Sequence, residues 1–251
     1  MRTNIFHKNY KTLIAILGLF LFGLGIFTFY SLIIKQGDVS NFMAYRFMRG
    51  VVCFTYLTII LLFQKKESNP LLITFLALYG TSSLLTIWYE NNVLATLAMG
   101  LNVLAFSSLV RAIAPKVNIF KFDWFHILSF IIMMLFNGFL GYQFIIMFKE
   151  FTLSNLHFTF IVLNTLGIVF VSYLGILFNH KYSSKNTLMF SGFVFLLLFT
   201  EVFRGIAYYD MAYGDFSAHI ARALLIISLS FLTHYTFLAK KDKELLNNRF
   251  L

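Results

Sequence analysis

Long uncharged apolar runs recur along the whole chain and constrain its fold more than any other feature. Each run has about 20 residues, enough for a helix to cross roughly 30 Å of hydrocarbon. With 59% hydrophobic and 12% charged residues among 251, the chain lacks the polar surface of a soluble domain. The pattern predicts an all-α, polytopic transmembrane bundle, a single domain over 1–251, with about eight spans. The expected spans are Thr12–Ile34, Met43–Phe63, Pro70–Tyr89, Val93–Ala114, Trp124–Phe148, Leu156–Phe178, Thr187–Tyr208 and Phe216–Ala239.

The basic residues between the runs and near their ends alternate along the chain and predict its orientation. They are concentrated in both tails and in every second connector: Arg2, Lys8, Lys11, Lys65, Lys66, Arg111, Lys116, Lys121, Lys181, Lys185, Lys240, Lys241, Lys243 and Arg249. Connectors rich in Lys and Arg favour the cytoplasmic side. Both termini are therefore expected in the cytoplasm, in a membrane of the bacterial inner (plasma) type. The first run is too long for a signal-peptide core and is expected to be retained.

Composition also excludes several classes of function. The net charge of +10 comes from Lys and Arg scattered over short connectors, which is not the pattern of a nucleic-acid-binding protein. Cys53 is the only cysteine, so neither an intrachain disulfide nor a cysteine metal site is possible. No phosphate loop, redox motif or His-rich motif occurs, and no metal or other cofactor is expected. The sequence does not indicate a protein partner or an oligomeric state.

Ionisable residues inside the apolar runs mark the candidate site. Glu201 and Arg204 share one face of span seven, His219 and Arg222 share one face of span eight, and Arg49 lies in span two. These cations collect at the predicted outer side, against the usual charge bias. A buried arginine needs a carboxylate, a carbonyl or a bound anion. We therefore expect these four basic residues to bind substrate, the phosphate of a membrane lipid.

The same residues have a second interpretation, which the sequence leaves open. Arg46 lies near the end of span two and can snorkel, and the deeper arginines can make structural ion pairs. Glu201 is expected to pair with Arg204 or Arg222, because a lone charge at that depth costs about 2.5–3.5 kcal/mol on insertion scales. A ligand site requires a dry polar cluster around Glu201 inside the bundle. A subunit of a membrane complex instead leaves an apolar helix face open and keeps its arginines at the interface.

Other polar residues inside the runs are expected to join helices by hydrogen bonds, Asn102 and Asn164 among them. A weak internal similarity links residues 84–90 with 203–210, since both stretches end in aromatic residues and an acid. This similarity suggests that the bundle is organised as two halves of four spans.

Several short stretches occur in the places where one membrane-protein family carries its motifs: Phe47-Met48-Arg49-Gly50, Gly80-Thr81, Gly100-Leu101 followed by Ala105-Phe106, Gly192 leading to Phe199-Thr200-Glu201, and His234. At these places the chain resembles the YhhN-like lysoplasmalogenases, which are eight-span proteins of bacteria and animals. Family members have Lys-Pro, Gly-Asp, Ala-His, Ser-Asp and Gln there. Among the acidic positions of the family, only Glu201 offers a carboxyl in this chain, displaced by one residue.

The resemblance implies an eight-span fold and hydrolysis of the vinyl ether bond of an ether lysolipid. Such chemistry needs a positioned acid–base group. Glu201 is the candidate catalytic residue, with Arg49, Arg204, His219 and Arg222 holding the phosphate. Binding or hydrolysis of a phospholipid or lysophospholipid is the predicted function. The alternative is a membrane sensor, a small transporter or a structural subunit of a membrane complex.

Overall fold

The computed structural model describes residues 17–25, 38–64, 69–117, 124–149, 152–208 and 214–247, and these residues form helices and short connectors without a strand. Residues 17–25 belong to the first helix, α1. The other helices are α2 (Asp38–Gln64), α3 (Pro70–Leu85) with a 3-10 turn (Thr86–Trp88), α4 (Asn92–Val117), α5 (Trp124–Lys149), α6 (Asn155–Tyr182), α7 (Lys185–Tyr208) and α8 (Gly214–Asn247). The predicted all-α fold is confirmed.

Six of the described helices are long and apolar enough to cross a membrane: Arg46–Phe63, Pro70–Trp88, Asn92–Val117, Asn155–Tyr182, Lys185–Ala207 and Phe216–Leu238. They coincide with six predicted spans, so the protein has the helices of a membrane-embedded protein. The fifth predicted span, 124–148, coincides with α5. Most of the first span, 12–34, lies outside the described residues. The total of eight spans, their orientation and the division into two halves stay predictions.

Prolines and polar caps set the local limits of the helices. Asn69 caps α3 by accepting a hydrogen bond from the Leu71 amide at 3.0 Å, with Pro70 at the first helical position, where its missing N–H costs nothing. The span predicted over Val93–Ala114 is slightly longer in the structure, because Pro115 lies inside α4, which continues to Val117. The last carbonyls of α4 are satisfied from outside the helix: Lys181 Nζ donates to the Lys116 oxygen at 2.6 Å and to the Val117 oxygen at 3.0 Å.

Close contacts between helices fix their register. Phe190 of α7 packs against Tyr235 of α8, with ring centroids 5.3 Å apart, and Ser228 donates to the Phe193 carbonyl at 3.0 Å. The two helices are therefore antiparallel. Gly175 lets α6 approach α7, because a Cβ atom there would lie 2.6 Å from Val194 Cγ2. Small residues at helix contacts are typical of membrane bundles, where backbones pack closely without a hydrophobic driving force between helices.

The Glu90 end of the bundle is the end at which α3 and α7 finish and α2, α4, α6 and α8 begin. Ser154, before α6, is joined there to Asn92 of α4 by a hydrogen bond of 3.0 Å. Tyr89 and His157 form a hydrogen bond of 2.8 Å between the same two regions. The apolar core lies further from the Glu90 end than these contacts, and it is formed by α2, α3, α4, α6, α7 and α8. The ionisable residues of the candidate site lie between this core and the Glu90 end.

Candidate functional site

Glu201 is the centre of a buried polar cluster that joins three helices. Its Oε1 atom accepts a hydrogen bond from Arg49 Nη2 of α2 at 3.2 Å and from the Tyr79 hydroxyl of α3 at 2.5 Å. Its Oε2 atom forms an ion pair with Arg204, one turn further along α7. No other acidic residue lies inside a predicted span. The expected pairing of Glu201 with Arg204 is confirmed, and Arg49 is a second cationic partner.

The cluster is inside the bundle rather than at its surface. The side chains of Arg49 and Glu201 are 3% and 7% exposed, and that of Arg204 is 16% exposed. Arg49 also lies over the Tyr79 ring, with 4.9 Å between the guanidinium carbon and the ring centroid. Glu201 is seven residues before the end of α7, which places it about 10 Å from that helix end. Arg49 thus reaches inward to a carboxylate and does not snorkel to the interface.

A second arginine–glutamate pair lies one turn away and differs in its environment. Arg46 Nη1 is 3.2 Å from Glu90 Oε1, the same distance as in the Arg49–Glu201 pair, and Arg46 also contacts the Ile87 carbonyl at 3.4 Å. The Glu90 side chain is 70% exposed. The Arg46–Glu90 pair therefore marks the polar rim at the Glu90 end, whereas the Glu201 cluster is buried beneath it.

The register of α7 against α8 gives the level of the two remaining predicted residues. Phe190 packs against Tyr235, and a Cβ atom on Gly192 would contact the Phe231 ring. Because the two helices are antiparallel, positions later in α7 lie beside positions earlier in α8. Continued to Glu201, this register reaches the turn of α8 that contains Arg222. Arg222 is partly buried, and His219, one turn nearer the Glu90 end, is exposed. The predicted convergence of Arg222 on the same ligand stays a prediction.

Asn102 lies on the face of α4 that meets α3, at the level of the cluster. One turn toward the Glu90 end, the Ala98 carbonyl accepts a hydrogen bond from Ser82 at 2.8 Å. One turn the other way, the Phe106 ring is 6.4 Å from the ring of Tyr79, which binds Glu201. Asn102 is fully buried between these contacts, and neither its Oδ1 nor its Nδ2 atom has a hydrogen-bond partner among the described residues.

Asn164 of α6 lies at the same level as Asn102. Helices α4 and α6 are parallel: Asn92 meets Ser154, and a Cβ atom on Gly167 would lie 3.3 Å from Phe106 Cβ. One turn before this Phe106–Gly167 contact, the two helices carry Asn102 and Asn164 on corresponding faces. Asn164 is 7% exposed, and its buried Oδ1 atom has no hydrogen-bond partner in the part of the chain that the structure describes.

Among the residues that the structure describes, the cluster contains more arginines than carboxylates. Two guanidinium groups, from Arg49 and Arg204, contact one carboxylate, and the register brings Arg222 to the same level. The Nη1 atom of Arg204 is buried and has no hydrogen-bond partner among the described side chains and backbone groups. Guanidinium groups bind phosphate and carboxylate through paired N–H donors, and a low dielectric strengthens that contact. The arrangement is suited to an anion and opposes a metal cation. No group of three or more potential metal ligands occurs in the described ranges.

Sequence reasoning found the charged members of this cluster but missed its neutral ones. Charge inside an apolar run identified Glu201, Arg204 and Arg49. Tyr79 was missed because a tyrosine within an apolar run is an ordinary core residue. Asn102 and Asn164 were assigned to helix contacts, and only their unpaired amide atoms distinguish them from other helix-joining residues.

The fold and the cluster define an all-α bundle of membrane-spanning type with a buried polar site, in which the described residues include more arginines than carboxylates. Comparison of the chain with family models, with characterised proteins and with solved structures found no match. The resemblance to YhhN-like lysoplasmalogenases therefore stays a prediction from the sequence.

Proposed function

We propose that this protein is an integral membrane protein that binds the phosphate of a phospholipid or lysophospholipid in the Glu201 cluster. One observation carries the proposal: among the described residues, two arginines share the single carboxylate of Glu201, and the buried Nη1 group of Arg204 has no hydrogen-bond partner there. In hydrocarbon, an uncompensated guanidinium group is costly. A bound phosphate would complete its hydrogen bonds and offset its charge.

The depth of the cluster supports a lipid rather than a water-soluble anion. Glu201 lies about 10 Å inside its helix end, measured along the axis of α7. A lipid can bring its phosphate to this level while its acyl chains stay in the hydrocarbon. The side chains that contact one another here come from α2, α3 and α7, so the phosphate would bridge helices already joined by Glu201.

Binding has better support than hydrolysis by Glu201. Both oxygens of this carboxylate are occupied, Oε1 by Arg49 and Tyr79 and Oε2 by Arg204. A role as acid–base group would require one of these contacts to open first. The buried position of the cluster also supports a ligand site over a structural subunit whose arginines remain at the interface. The sensor and small-transporter alternatives are compatible with the same bound lipid.

Lipid binding is tested with the full chain purified in a mild detergent. Native mass spectrometry identifies the lipid that remains bound, and titration of the delipidated protein gives the affinity. Arg204→Lys keeps the charge but removes the planar pair of donors, so we expect binding about tenfold weaker, equivalent to one charge-assisted hydrogen bond. Arg46→Lys, in the rim pair with Glu90, is the matched control and should bind as the wild type does.

Two results would contradict the proposal. Equal lipid content and equal affinity for the wild type and Arg204→Lys would leave the arginines as ion-pair partners only. Release of a fatty aldehyde from an ether lysolipid by the wild type, lost in Glu201→Gln, would assign hydrolysis instead of binding alone.

A further inference from the structure

Two buried carboxamides, Asn102 and Asn164, lie at the level of the Glu201 cluster by helix register, and three of their hydrogen-bonding groups have no partner on any described residue. Asn102 leaves one acceptor, Oδ1, and one donor group, Nδ2, and Asn164 leaves the acceptor Oδ1. Buried polar atoms are normally paired, and leaving such a group unpaired costs about 1–3 kcal/mol. Helix contacts alone do not explain this pair, because an amide that joins helices has its partner on the neighbouring helix.

The unpaired atoms define what a complementary ligand must offer. Two amide oxygens need donors, and the Asn102 amide nitrogen needs an acceptor. A phosphate or an ester oxygen only accepts, so it would leave both Oδ1 atoms unpaired. An ammonium group or a metal cation only satisfies the oxygens, and it would face the guanidinium groups of Arg49 and Arg204. A hydroxyl group carries no charge and both donates and accepts. One hydroxyl can therefore donate to one of the two Oδ1 atoms while it accepts from the Asn102 amide nitrogen, and the other Oδ1 atom needs a second donor.

We propose that Asn102 and Asn164 form a hydroxyl-binding subsite beside the Glu201 cluster, for a hydroxyl on a glycerol unit attached to the bound phosphate. This inference rests on the proposed function, since the phosphate brings the glycerol to this level. The arginines would bind the phosphate, and the two amides would distinguish lipids that carry a hydroxyl group next to the phosphate from lipids that do not. A hydroxyl in this position is present in the headgroup of a phosphatidylglycerol and on the backbone of a lysophospholipid.

The experiment titrates three lipids into the delipidated full-length protein. Dioleoyl phosphatidylglycerol has hydroxyls in its headgroup, oleoyl lysophosphatidylcholine has one on its backbone, and dioleoyl phosphatidylcholine has neither. The test variant is Asn102→Leu, which removes both hydrogen-bonding groups at similar volume. Asn164→Leu is the second variant, on a different helix. Ser107→Ala is the control, because Ser107 is exposed and, within the described ranges, its hydroxyl bonds the Val103 carbonyl of its own helix alone, at 2.8 Å.

We expect Asn102→Leu to weaken binding of one hydroxyl-bearing lipid about tenfold and to leave dioleoyl phosphatidylcholine unchanged. The lipid that loses affinity identifies the source of the hydroxyl. The ligand-free variant should unfold at the same or a higher temperature than the wild type, because an unpaired buried amide has been removed. A purely structural asparagine would instead lower the unfolding temperature and weaken all three lipids alike.

The failures of the two proposals can be told apart. If Arg204→Lys weakens lipid binding while both asparagine variants bind all three lipids as the wild type does, the hydroxyl subsite is wrong and the phosphate site remains. If Arg204→Lys changes nothing, the phosphate site itself is wrong and the subsite falls with it. Equal losses for the hydroxyl-free lipid in both asparagine variants would also overturn the subsite.

Discussion

Replacing Glu201 with glutamine tests whether a buried carboxylate holds the bundle together. The change keeps the shape of the side chain but removes the charge that Arg49 and Arg204 share. Removing one partner of a buried ion pair costs about 3–5 kcal/mol, because the remaining charge stays buried without compensation. At about 2–4 °C per kcal/mol for a chain of this size, the unfolding temperature should fall by roughly 10 °C.

The chain contains a matched control for this experiment. The Arg46–Glu90 pair has the same N–O distance, 3.2 Å, as the Arg49–Glu201 pair, but the Glu90 side chain is 70% exposed whereas that of Glu201 is 7% exposed. At this separation, two unit charges attract by about 1 kcal/mol in water and about 5 kcal/mol at an effective dielectric constant of 20. The Arg46 side chain is only 9% exposed, but its partner Glu90 lies largely in solvent, which screens the pair. Glu90→Gln should therefore lower the unfolding temperature by less than Glu201→Gln does.

The assay is thermal unfolding of the purified full chain in detergent, followed by circular dichroism, for the wild type and both variants. Adding Arg49→Met to Glu201→Gln should recover part of the loss, since the uncompensated guanidinium group is then removed as well. The reasoning is refuted if the two glutamate variants unfold at the same temperature. It is also refuted if the double variant is less stable than Glu201→Gln alone.

Two other predictions follow from the cluster and from the sequence. Tyr79→Phe keeps the ring against Phe75, 5.5 Å between centroids, but removes the hydrogen bond to Glu201, so it should cost about 1.5–3 kcal/mol in the same unfolding assay. The control is Tyr182→Phe, because Tyr182 is exposed and its hydroxyl donates to the Lys116 carbonyl. An equal loss of stability in both variants would contradict the prediction that the Tyr79 hydroxyl stabilises the buried cluster. Reporter fusions after Lys66, Lys121 and Lys185 should report the cytoplasm because of the alternating basic connectors, and a periplasmic signal from any one of them would contradict the orientation.

Local properties of the chain were enough to predict its helices. An apolar run of about 20 residues must satisfy its backbone within itself in hydrocarbon, so the runs themselves predict helices and their approximate limits. Placing a charged side chain in hydrocarbon is costly, so the position of Glu201 inside an apolar run predicted that it pairs with a cation. Arg204 was predictable as its partner because residues three apart share a helix face.

Only the tertiary structure decided which helices meet at the cluster. Arg49 is 152 residues from Glu201 in sequence, and Tyr79 is 122 residues away. The helices are apolar nearly all round, so no amphipathic stripe indicates which face points inward. Their packing depends on close backbone approach at positions such as Gly175, opposite Val194, and composition does not specify these pairings. For the same reason the sequence predicted a helix-joining role for Asn102 and Asn164, whereas both amide atoms of Asn102 and the Oδ1 atom of Asn164 have no hydrogen-bond partner among the described residues.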